Sequence, residues 1–150
     1  MPLSTFTSME PINESLAAFI AEQTVLTIAT TVNDEPHCTP VYFAFDPNNN
    51  WLIFKSSSDT KHVEEMSVNP FVAGSILPDH STVGTTIGVQ FKGKVHVCNE
   101  THAAAKDIFY KKYPFAIAIT GNIWVIQVTF FKFTNNKLGF GKKIVWSRTK

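Results

Sequence analysis

Seven side chains able to donate hydrogen bonds or carry positive charge crowd into residues 55–62: Lys55, Ser56, Ser57, Ser58, Thr60, Lys61 and His62. An apolar run, Trp51 to Phe54, precedes them and reads as a short strand. A helical stretch opens near Asp59 and stops at Asn69-Pro70. A helix start presents backbone N–H groups without intrahelical acceptors and the positive end of the helix dipole. Hydroxyl donors and two or three cations at the same corner make a cradle for a phosphate. The competing reading is plainer: Asp59 or Ser58 is an N-cap, and the lysines are solvated.

Other constellations carry less. Gly139-Phe140-Gly141-Lys142-Lys143 has the look of a phosphate loop, but Asn136 stands where a Walker A loop needs glycine and Lys143 where it needs Ser or Thr. A dinucleotide fingerprint fails as well, because Ile144 follows the lysines and no helix opens there; the glycines are expected to bend a last strand. His96 and Cys98 share a strand face, yet no third ligand follows at metal-binding spacing. His62-Val63-Glu64-Glu65 is not a zinc-protease motif, and no serine lies in a G-x-S-x-G elbow. Cys38 is read as a small buried hydrophobe, the commoner identity of a free cysteine. No residue pair stands out for acid–base catalysis.

The elements that must position the polar corner follow from periodicity. Ile12, Leu16, Phe19 and Ile20 have helical spacing, with Pro11 in the first turn. Val25 to Val32 and His37 to Phe45 form a hairpin across Asn33–Pro36, with Val41, Phe43 and Phe45 on one face. Pro40 forbids ordinary central pairing, so that point is a bulge, an edge or a place where a ligand meets the sheet. Phe71–Leu77 and Gly88–Cys98 are further strands. In the second, Val89, Phe91, Val95 and Val97 face one way and Gln90, Lys92, Lys94 and His96 the other. Thr101 is expected to cap a helix running to Tyr113. Asn122–Phe133 is a strand with almost no alternation, so both its faces are covered, and Gly139–Trp146 is the last strand. The fold class is mainly β: an antiparallel barrel of about six strands with three helices at its rim, in one domain over residues 1–150.

Composition agrees. The 44% hydrophobic content and 13 phenylalanines suit a filled core rather than disorder. Residues 1–50 carry a net charge of −6, residues 51–100 of −1 and residues 101–150 of +8. The basic last third suits nucleic acid, an anionic ligand or the acidic third of a partner. Two cysteines make no disulfide framework. With no secretory signal and no long apolar run, a cytoplasmic location without membrane insertion is expected.

The hairpin with Pro40, the turn at residues 46–50, the strand, the serine-rich corner and the helix ending at Asn69-Pro70 come in an order that resembles the pyridoxamine 5′-phosphate oxidase-like split β-barrels, the flavin mononucleotide (FMN)-binding superfamily. Residues 36–75 and 88–97 carry the resemblance. GVQFKGKV (88–95) and FTNNKLGFGKKIVW (133–146) are similar to its uncharacterised YhbP-like branch. The resemblance implies a homodimer with two FMN sites at the subunit interface, the FMN phosphate at the polar corner. Lys61 matches the arginine of an Arg-Lys pair that grips phosphate in such proteins, and His62 falls where the lysine stands, a departure from the pattern. Lys55 belongs to the same cluster; Ser56, Ser57 and Thr60 match donors to the phosphate and ribityl chain. Thr39 and Pro40 match the strand that meets the flavin ring, Gln90 a polar residue that reaches it, and Trp146 a residue that closes the site. Such a site implies oxidoreductase chemistry on a small substrate, supplied by the flavin. The alternative is a flavin-free barrel binding haem or another ligand, suggested by His62, the five histidines and the basic last third. Nucleic-acid binding through residues 132–150 is a third and weaker reading. Single-stranded nucleic acid on Lys92 and Lys94 lacks support, because the polar face of the Gly88–Cys98 strand has no aromatic of its own for stacking.

Overall fold

Asn33 and Asp34 both adopt positive φ, 54° and 63°, the geometry a two-residue hairpin loop demands and these residue types tolerate. The loop joins two strands of a computed structural model that describes residues 10–138 and 143–148. The described elements run α1 (Glu14–Glu22), β1 (Val25–Val32), β2 (Glu35–Asp46), β3 (Trp51–Ser56), α2 (Lys61–Val68), β4 (Phe71–Ile76), β5 (Ile87–Val97), α3 (Ala103–Lys112), β6 (Asn122–Asn135) and β7 (Lys143–Ser147). All pairings are antiparallel. The order is β3-β2-β1-β4-β5-β6-β7, and β3 also pairs with β6. Six strands therefore close into a barrel and β7 adds outside it, the architecture expected from the residue pattern.

Barrel closure explains the composition of β6. Trp124, Ile126, Val128, Phe131 and Phe133 join the main core, while Ile123 and Val125 face a second cluster with Ala44, Ile53, Phe109 and Tyr113. Both faces are thus covered, and the sequence alternates little. α1 adds Leu16, Phe19 and Ile20 to the main core, Phe19 lying 5.1 Å from Phe133. Phe109 and Tyr113 hold α3 against the outside of β2, β3 and β6, each buried aromatic contributing roughly 1.5–3 kcal/mol.

Pro40 takes the edge option. β2 pairs with β1 from Glu35 to Tyr42, but with β3 only from Phe43 to Asp46. Beside Pro40 one flank of β2 is therefore unpaired, where a missing N–H costs no ladder bond.

Several boundaries are corrected. Asn13 caps α1 through Ser15 and Leu16, so Pro11 lies before the helix. Thr60 is the N-cap position of α2, not Ser58 or Asp59. Asn99, rather than Thr101, receives the N–H at the turn of Glu100–His102 that precedes α3. Val97, placed on the inward row with Val89, Phe91 and Val95, is instead 45% exposed, although it still pairs with Trp124 on β6. Cys38 is exposed, because alternation puts it on the outer face of β2 with Pro40 and Tyr42. Of the glycine-lysine stretch, Gly139–Lys142 lie outside the described residues and Lys143 opens β7. No helix among the described residues is long and apolar enough to cross a membrane.

Candidate functional site

Between the unpaired flank of β2, the end of β3 and α3 lies a cavity of about 390 Å³. One side is polar: Lys55, Ser56, Ser57, Thr60 and His62. The other is apolar: Val41, Tyr42, Phe109, Tyr113, Phe115, Ala116 and Ile119. β3 delivers Lys55 and Ser56, and the following turn delivers Ser57 and Thr60. Gly121, at φ +148°, lets its segment lie against Ser56 and Ser57, since a Cβ there would stand 2.9 Å from the Ser56 carbonyl carbon. Close backbone approach of this kind requires glycine.

The polar side is partly self-satisfied and partly open. Lys55 donates to Tyr110 Oη at 2.9 Å and to the Ala116 carbonyl at 2.8 Å. An ammonium has three donors, so one remains. Thr60 Oγ1 donates to the Ser57 carbonyl at 2.8 Å, and no side chain caps α2. The first-turn N–H groups of α2 therefore lack a side-chain acceptor, and the dipole there favours an anion. His62 is buried, with Nε2 at 2.7 Å from Ser56 Oγ and 3.5 Å from Thr60 Oγ1.

Burial lowers the pKa of His62 from its ordinary 6.5, and His37 lowers it further, while Glu65 opposes both. His62 therefore stands at this corner as a hydrogen-bonding group rather than a fixed cation. A folded-state pKa below the unfolded value means that the unfolded chain binds more protons. The contribution is complete above pH 6.5 and is lost as pH falls through the depressed value. Urea midpoints compared at pH 7.5 and 5.5 are expected to drop less for His62→Gln than for the unaltered chain; equal drops would mean that His62 is not the group responsible.

On the apolar side, Tyr113 Oη contacts the carbonyls of Phe43 at 2.6 Å and Thr24 at 3.1 Å, and burial pushes its pKa up to about 12. Tyr113 is thus a neutral anchor fastening the end of α3 to β2. Its ring lies 5.8 Å from Tyr42 and 6.2 Å from Phe115. Tyr42, Phe115 and Ile119 are 59%, 64% and 54% exposed, leaving the mouth of the cavity apolar and open.

The structure thus brings together Lys55, Ser56, Ser57, Thr60, His62 and Pro40. Lys61 is exposed and lines a separate cavity beyond α2. Thr39 is half-buried beside Pro40 and does not line the cavity. Gln90 is exposed on β5, paired with Ser75 and Lys132. Trp146 is buried in the main core and donates to the Glu10 carbonyl at 3.0 Å. His96 stacks on His102 with centroids 5.6 Å apart, and Cys98 Sγ donates to the His102 carbonyl at 3.3 Å. The apolar wall from α3 and the turn after it was missed from sequence. Its one sequence signal is the apolar run Phe115–Ile119 after a helix stop.

Residues 12–136 match the sequence profile of the family described as pyridoxamine 5′-phosphate oxidase. A UPF0306 protein of Photorhabdus laumondii is 35% identical over 131 residues, covering 87% of this chain and 92% of its own. Among solved structures, a haem-binding protein from Mycobacterium smegmatis superposes with a TM-score of 0.73 at 18% identity, over 86% of this chain and 55% of that one. The present chain thus spans little more than half of that protein. An FAD-binding protein from Mesorhizobium loti superposes with a TM-score of 0.64 at 16% identity, over 80% of this chain and 92% of that one. At these identities the superpositions speak for the fold, whereas the profile and the UPF0306 relative reach through most of the sequence: the chain belongs to the pyridoxamine 5′-phosphate oxidase family, alongside the UPF0306 proteins.

Proposed function

We propose that the chain binds FMN in the cavity between β2, β3 and α3 and serves as an FMN-dependent oxidoreductase on a small substrate. The observation that carries this is the division of one cavity into a donor-rich end and an aromatic end, which suits a phosphorylated, planar heterocycle. The volume lies within the range of small-molecule sites. The fit to phosphate rests on the spare Lys55 donor, the hydroxyls of Ser56 and Ser57 and the uncapped start of α2. His62 contributes a hydrogen bond in place of a second fixed charge.

Bound flavin supplies hydride or single-electron transfer. This chain's residues hold and shelter it. Lys55 and the Ser56–Thr60 turn bind the phosphate, Pro40 offers an edge without an N–H donor, and Tyr42, Tyr113 and Phe115 keep water from the ring. The exposed apolar mouth is covered in a homodimer, from which Gln90 of a second subunit reaches the flavin and Thr39 supports the strand beneath it. Trp146, tied into its own core, has no part in holding the flavin.

Haem is the weaker occupant. It asks for an axial ligand, and the one imidazole among the described residues lining this cavity is already engaged with Ser56 through Nε2. Titration with FMN is expected to quench flavin fluorescence and raise the melting temperature. Absence of both at millimolar FMN refutes the reading, and a haem Soret shift without flavin quenching would replace it.

A further inference from the structure

Glu65 is a carboxylate left at 8% exposure on the face of α2 that packs against β1, where an unpartnered charge is costly. Its Oε2 accepts from Thr30 Oγ1 at 3.1 Å. Its Oε1 stands 3.2 Å from His37 Nδ1, off the line of a full hydrogen bond; both atoms are sealed from solvent with no other partner. The His37 side chain is nevertheless 37% exposed. With Nδ1 sealed, the accessible edge is the one carrying Nε2. His37 lines a separate cavity of about 490 Å³ between the β1–β2 loop and α2. A carboxylate behind Nδ1 and an open Nε2 in a polar cavity is how a proton-transferring imidazole is oriented, and such contacts are often poorly aligned before a substrate is bound.

We propose that His37 and Glu65 form a proton-transfer pair, His37 exchanging a proton at Nε2 with a small neutral or cationic polar molecule in this cavity, and Glu65 acting as the positioning residue. Neutral His37 takes a proton from an O–H or N–H group, and the bond's electron pair stays on that oxygen or nitrogen. The imidazolium formed faces the Glu65 carboxyl group, and the reverse step returns the proton. Around His37, Glu35 from β2 and Asp59 and Glu64 from α2 and its approach outnumber Lys61, so anions are disfavoured. His62, near enough to feel both His37 and Glu65, adds a like charge to His37 when protonated. This cavity shares no lining residue with the FMN cavity, so either proposal can fail without the other.

The full chain labelled with ¹⁵N tests it by NMR. At pH 8, His37 is expected in the Nδ1–H tautomer with Nε2 bare. Glu65→Leu is expected to abolish that tautomer in favour of the Nε2–H form, while Glu65→Gln, which keeps an acceptor oxygen, retains it. Diethyl pyrocarbonate, which acylates bare imidazole nitrogens, is expected to modify His37 about tenfold more slowly in Glu65→Leu. At pH 7, glycinamide, a small N–H-bearing cation, is expected to shift the His37 signals and acetate is not. An Nε2–H tautomer in the unaltered chain overturns the proposal, as does a tautomer indifferent to Glu65→Leu, or a response to acetate alone. If Glu65→Leu does not fold, the tautomer of the unaltered chain and the two ligand titrations decide.

Discussion

Lys55→Met is expected to weaken FMN binding by roughly tenfold to a hundredfold, the loss of one hydrogen bond to a charged group at about 1.5–3 kcal/mol. The size follows from how Lys55 is held. Tyr110 Oη and the Ala116 carbonyl fix its ammonium, and the Tyr110 ring lies 5.0 Å away. A ligand phosphate meets a charge already in place, so little side-chain entropy is lost on binding. Lys61 is exposed and outside the cavity; an exposed charge contributes about 0–1 kcal/mol, so Lys61→Met is expected to weaken binding less than about fivefold. Isothermal calorimetry with both variants decides between the two lysines. A larger loss at Lys61 would move the phosphate to the outer side of α2. Melting curves recorded alongside separate lost affinity from lost structure, since Lys55→Met also removes its bonds to Tyr110 and Ala116.

The second large effect is on the barrel itself. Gly74→Ala is expected to destabilise the fold by about 3 kcal/mol or more, overpacking at a site that cannot yield. A Cβ on Gly74 would lie 2.2 Å from the Thr27 carbonyl oxygen and 2.3 Å from Phe91 Cζ. One obstacle is backbone of the neighbouring strand, and the other is a ring at 1% exposure in the core. The absence of a side chain on β4 is what lets the Phe91 ring lie across it from β5, a large residue covering a glycine on the adjacent strand. Gly88→Ala is the control. Its Cβ would meet Leu77 Cδ2 at 3.2 Å, the end of an exposed side chain that can turn aside, so a loss below about 1 kcal/mol is expected. Urea unfolding of both variants gives the comparison, and equal losses would mean that the Phe91 ring has room to retreat.

Much of the fold was legible because its strands report their surroundings locally. Val25–Val32 announces itself by β-branching, and β6 reveals two covered faces by failing to alternate. Pro40 marks an unpaired flank, since proline lacks the donor a central strand needs. What local pattern could not settle was the choice among equivalent caps. Ser58, Asp59 and Thr60 are all competent, and the path of the chain out of β3 made Thr60 the cap position and turned its hydroxyl to Ser57 instead.

The polar corner shows the same division. Its donors lie within eight consecutive residues, 55–62, and the chemistry of a phosphate cradle could be read from their types alone. Which of two adjacent cations faces inward could not. Lys61 and His62 are neighbours on a helix, about 100° apart around its axis, so the packing of α2 against β1 and β2 sends His62 inside and leaves Lys61 outside. The same packing places Glu65 beside His37, across a separation no motif spans. It is the closure of β3 onto β6, and the docking of α3 over that seam, that sets Tyr113 and Phe115 opposite the serines. Residue types alone made a barrel legible and gathered the donors at one corner. Long-range burial, which carries no short-range spacing, decided what stands across from that corner and which charges reach it.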